Sequence, residues 1–139
     1  PRLDGEAELE LESAHPTFLW ACAGGVPSER LATPTELDFS QPRRLSDSVR
    51  TKDYGGWTGT AEIRFPSRRL GLRLKADPVF GHLMLYADPR RPFFCLDPQS
   101  NAPCAFNRIA DGSDEGMGVI VLEPEESITG AIQFLPFGL

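Results

Sequence analysis

The sequence predicts an all-β fold, an antiparallel β-sandwich built as a single domain over residues 1–139. Three observations lead there. Short β-favouring runs recur at close spacing, each is bounded by Pro, Gly or Asp, and no stretch sustains a helical period.

Taken in order, residues 7–12 alternate apolar and acidic side chains, the period of a half-exposed strand. Residues 14–20 carry His15 before Pro16, which pushes the histidine into an extended conformation, and then an aromatic cluster. Residues 21–25 are small and read as a turn. Residues 26–42 read as a loop broken by Pro27, Pro34 and Pro42, with Asp38-Phe39 as an anchor to the core. Tyr54-Gly55-Gly56-Trp57 sets two large aromatics beside two glycines, which suits a strand bend or an open binding surface. Strands are then expected at 60–65, 70–75, 82–86 and 93–96, followed by 118–122 and a closing strand at 128–135.

Bulk properties narrow the function classes. The chain has 139 residues, room for one domain with a sizeable core and little room for two. A net charge of −6 and a pI near 4.9 argue against nucleic acid or an acidic membrane as partner. The three cysteines, Cys22, Cys95 and Cys104, form no CxxC pair, so a reducing compartment, the cytoplasm, is expected rather than a disulfide framework or a zinc site. No apolar run has the length of a membrane span and no signal peptide is read. The sequence starts at Pro1 rather than Met, which leaves room for residues upstream.

Few residues point to chemistry by themselves. Phe93-Phe94-Cys95-Leu96-Asp97-Pro98 reads as a buried strand that stops at a carboxylate, because Pro98 cannot donate to a ladder. A carboxylate held at a strand end suits proton transfer, and equally suits a plain turn cap. His15 reads first as a packed histidine, and His82 as an outward-facing strand residue without a role. Cys95 and Cys104 read as small buried residues, and the pairs Arg43-Arg44, Arg68-Arg69 and Arg90-Arg91 as solvated surface.

Several stretches, in order, are more specific. His15-Pro16-Thr17-Phe18, Asp38-Phe39 through Tyr54-Gly55-Gly56-Trp57-Thr58-Gly59, Leu96-Asp97-Pro98-Gln99-Ser100 with Ala105-Phe106-Asn107, and Glu123-Pro124-Glu125-Glu126-Ser127 span nearly the whole chain. Together they resemble the later part of the aldose 1-epimerase (galactose mutarotase-like) family. The resemblance implies a galactose mutarotase-like supersandwich, of which this chain would be the C-terminal portion. It implies interconversion of the α and β anomers of a free hexose such as galactose or glucose, by acid/base ring opening with neither metal nor cofactor. Carried over by position, His15 is the acid and Asp97 the base, while Asp53, Tyr54, Trp57 and Gln99 line the sugar.

The base position holds Asp97 where the family pattern has Glu, one methylene shorter. Counting back from Trp57 without gaps puts Thr51 at the family's sugar-binding Asp, and Asp53 takes that role after a shift of two residues. A carbohydrate-binding protein of the same fold, weak or inactive as a catalyst, is the alternative. The family's earlier strands have no counterpart here, which implies either a homo-oligomer or an N-terminal half on other residues.

Overall fold

In the computed structural model the residues described are 10–13, 18–23, 26–45, 51–88, 90–91, 93–109, 112 and 115–139. Among these residues, two five-stranded antiparallel sheets are built from ten strands. Sheet A comprises β1 (Glu10–Ser13), β4 (Arg43–Arg44), β6 (Thr60–Phe65), β7 (Leu70–Ala76) and β10 (Ile132–Gly138), in the order β10-β7-β6-β1-β4. Sheet B comprises β2 (Phe18–Ala23), β3 (Val26–Leu31), β5 (Thr51–Gly55), β8 (His82–Ala87) and β9 (Phe94–Gln99), in the order β3-β2-β5-β8-β9. A four-residue helix, α1 (Phe106–Ile109), is the one α-helix among the described residues. It is neither long nor apolar enough to cross a membrane.

The core sits between the sheets because alternate residues of β2, β5, β6, β7 and β8 turn inward. Sheet A contributes Ala61, Ile63 and Leu74, and sheet B contributes Leu19, Tyr54, Leu83 and Leu85. Leu37, from a 3₁₀ turn over Thr35–Leu37, and Phe39 close one end, with Phe39 almost wholly buried and packed edge-on to Tyr54. The expected anchor at Asp38-Phe39 is therefore Phe39, while Asp38 turns back and accepts the Ser40 amide at 2.9 Å. On the outer face of sheet A, Glu62 accepts from Arg64 at 2.6 Å and from Arg73 Nε at 2.7 Å. Burial alone would raise the Glu62 carboxyl, but these two guanidinium groups outweigh it and hold it below the ordinary range.

Several expected elements move. Strands β6, β7 and β8 fall at their predicted places, the latter two one residue longer. The strand expected to stop at Asp97 runs on through Pro98 to Gln99. That is possible because β9 is an edge strand, and a proline nitrogen that faces the open edge removes no ladder bond. Residues 26–31, read as loop, form β3 for a similar reason: it too is an edge strand, and Pro27 pairs with Cys22 where the β2–β3 register shifts. No strand forms at 118–122, where the backbone is irregular, and the closing strand starts at Ile132. Cys95 is half-buried and Cys104 exposed, so neither is the small core residue expected.

Candidate functional site

Strand register decides which polar side chains meet on the outer face of sheet B. Directly paired residues of an antiparallel ladder project to the same face. Asp53 on β5 pairs with Met84 on β8, and Met84 pairs with Asp97 on β9, so these three form one row. The neighbouring row runs Phe18, Gly55, His82, Gln99 across β2, β5, β8 and β9. Asp53, Asp97, His82 and Gln99 thus share one face, opposite to the one that Tyr54, Leu83, Leu85 and Leu96 turn into the core.

One end of this outer face is roofed. Trp20 packs with Ala102, Ala105 and Met117, and Phe18 and Val119 border the cluster. Arg30 lies over both rings, 5.0 Å from the Phe18 centroid and 5.6 Å from that of Trp20, and donates to the Glu115 carbonyl at 2.6 Å. That clasp draws the segment around residue 116 over the strands. The Ala102 amide, donating to the Met117 carbonyl at 2.7 Å, ties the roof together. Beyond the roof the row of Asp53, Met84 and Asp97 grades from buried through half-buried to exposed. The result is a shelf with a wall: carboxylates, an amide and an imidazole at the foot of an aromatic and glycine-rich cover. A separate pocket of about 300 Å³, lined by Thr58, Lys75, Asp77 and Gln133 among others, lies against sheet A and contains none of these groups.

No family model matches the chain. It is 33% identical over 103 residues to YphB, an uncharacterized protein of Escherichia coli K12, a match that covers 69% of this chain and 34% of that protein. It is also similar to the crystal structure of a "putative aldose 1-epimerase" from Escherichia coli K12, with a TM-score of 0.79 and 25% identity over 96% of this chain and 47% of that one. This is an aldose 1-epimerase-like fold. The chain spans about a third of the first of these relatives and about half of the second.

Within the aldose 1-epimerase-like fold the expected site residues divide into three groups. Asp53, Asp97 and Gln99 come together on the outer face of sheet B, with Thr51 on that face as well, one row beyond Asp53. Tyr54 and Trp57 do not join them, because both rings lie in the core between the sheets. Tyr54 is 2% exposed and donates its hydroxyl to the Leu37 carbonyl at 3.0 Å, and burial, with the charge of Asp38, holds its phenol far above the ordinary range. Trp57 is buried in the same core and donates its indole N–H to the Thr60 carbonyl at 3.1 Å. For Tyr54 the physical reason is parity, since it follows Asp53 on one strand and consecutive residues face opposite sides, whereas Trp57 lies past the end of β5, after Gly56 at φ 68. His15 lies outside the described residues.

The residue that sequence reasoning passed over is His82. It projects from the outer face as expected, yet it is 5% exposed because the 116–118 segment covers it. Nothing local in the Phe80-Gly81-His82-Leu83 stretch signals this cover, which arrives from residues more than thirty positions on.

Proposed function

We propose that the chain is aldose 1-epimerase-like and holds a free hexose, such as galactose or glucose, on the outer face of sheet B. The observation that carries this reading is the meeting of Asp53, Asp97 and Gln99 on one face, in a chain with an aldose 1-epimerase-like fold. A polyol ring needs acceptors for its hydroxyls and a donor for its ring oxygen, and carboxylate and amide side chains supply both.

In this reading Asp97 takes the proton of the anomeric hydroxyl, and His15, assigned by resemblance, protonates the ring oxygen. The C1–O5 bond breaks to give the open aldehyde, the bond between C1 and C2 rotates, and the reversed proton transfers close the other anomer. Each proton lent is returned, so the chemistry is complete with one acid and one base. Asp53 and Gln99 orient the hydroxyls beside the reacting carbon. The chain is then the C-terminal portion of the family's domain, working in the cytoplasm, and its remaining strands come from an N-terminal half or a second copy.

A second reading, a sugar-binding protein with weak or no catalysis, is favoured by one observation. Asp97 is exposed and one methylene shorter than Glu, a retraction of roughly 1–1.5 Å, and displacements of about 1 Å can lower a rate about 10²-fold. Polarimetry of α-D-glucose and α-D-galactose separates the two. Mutarotation above the buffer rate that is abolished by Asp97→Asn supports the enzyme. A buffer rate together with calorimetric sugar binding leaves the binding protein, and a rise in rate with Asp97→Glu identifies Asp97 as a base set back from its substrate.

A further inference from the structure

His82 is a buried side chain, 5% exposed, and among the described residues neither ring nitrogen has a hydrogen-bond partner. The Ser100 and Gly116 backbone groups lie close enough to favour the charged form, but neither makes a bond of normal geometry. Buried polar groups are nearly always bonded, and an unmet one destabilises the fold. A histidine kept in such a place leaves room for a partner that the described residues do not supply.

Its position says which kind. His82 stands directly opposite Gln99 and diagonally from Asp97 and Asp53, so it borders the shelf. Burial holds the imidazole below its ordinary pKa, and the charge of Arg30 acts in the same direction. A neutral imidazole offers one donor and one acceptor, the complement of an uncharged hydroxyl. A phosphate or carboxylate would call for the imidazolium instead.

The cover is built to be thin. Residues 116 and 118 are glycines at φ +72 and +75, a region that side chains avoid. A Cβ at 118 would lie 2.3 Å from the Ser100 carbonyl oxygen and 2.9 Å from the His82 ring, and one at 116 would collide with the Arg30 guanidinium. We propose that His82 is a further sugar-binding residue of this site, bonding a ring hydroxyl next to Gln99 when the segment 116–118 lifts. The inference rests on the sugar reading above and adds a residue to it.

The test is a titration of the whole chain with D-galactose and D-glucose, followed by NMR at the His82 ring and at the Asp97 and Gln99 amides, alongside His82→Phe and His82→Gln. The proposal expects shifts at all three residues. It expects His82→Phe to bind roughly 3- to 10-fold more weakly, the worth of one neutral hydrogen bond, at equal or higher thermal stability. His82→Gln, which keeps a donor and an acceptor, should fall between. Shifts at Asp97 and Gln99 with a silent His82 and unchanged affinity in His82→Phe would overturn this inference alone, leaving a bound water as the partner. No response anywhere on the face would overturn the sugar reading and this inference with it.

Discussion

The two faces of sheet B are made from the same strands and differ in almost every physical respect. The inner face presents Leu19, Tyr54, Leu83 and Leu85, all buried, and the Tyr54 hydroxyl is bonded to the Leu37 carbonyl. The outer face presents Asp53, His82, Asp97 and Gln99 along two rows, and His82 is buried without a bond among the described residues. Residues one apart in sequence thus serve opposite ends. One face supplies stability through apolar burial, and the other buries polar groups at a cost that the proposed sugar surface would account for.

That contrast can be broken from the inner side first. Leu85→Ala should lower unfolding free energy by about 2–5 kcal/mol in a urea titration, since the side chain is 1% exposed and its loss leaves a cavity. A loss near zero would mean that the face is not the core of the sandwich. Tyr54→Phe should have a smaller effect, about 1 kcal/mol, because only the bond to Leu37 is lost. Sugar affinity should stay as it is, because the Tyr54 ring lies on the inner face. A fall in affinity would return Tyr54 to the ligand side.

The outer side answers to pH. Burial holds the folded His82 pKa below the ordinary histidine value of about 6.5, at which the unfolded chain titrates. Between the two the unfolded state binds more protons, so this contribution is fully present above about pH 6.5 and is lost as pH falls toward the lowered pKa. Denaturation midpoints measured across that interval should drop in the unmodified chain and drop less in His82→Phe. Equal slopes would show that the ring is not buried in solution. The smallest stability effect is expected for Asp97→Asn, within about 0.5 kcal/mol for an exposed strand residue, even as the same change removes any mutarotation.

How far the sequence reaches can be judged from particular residues. Residues 60–65 form their strand as read, because alternating Ala61 and Ile63 fit a half-buried pleat bounded by Pro66. Pro27 and Pro98 were misleading, since a proline excludes a central strand but not an edge, and strand order is invisible in the chain itself. The apolar run at 118–122 reads as a strand, yet Ile120, Val121 and Leu122 are exposed and unpaired with any sheet. Periodicity cannot tell whether a partner strand exists.

By itself the sequence determined the fold class, most strand positions and, through period-two alternation, which residues of one strand face the same way. It also supplied the ordered motifs behind the family resemblance and the choice of Asp97 and Gln99. Only the tertiary structure decided between the rows, because register is a relation between strands distant in sequence. It set Asp53 level with Asp97, sent Tyr54 and Trp57 inward, and drew the segment around residue 116 across His82.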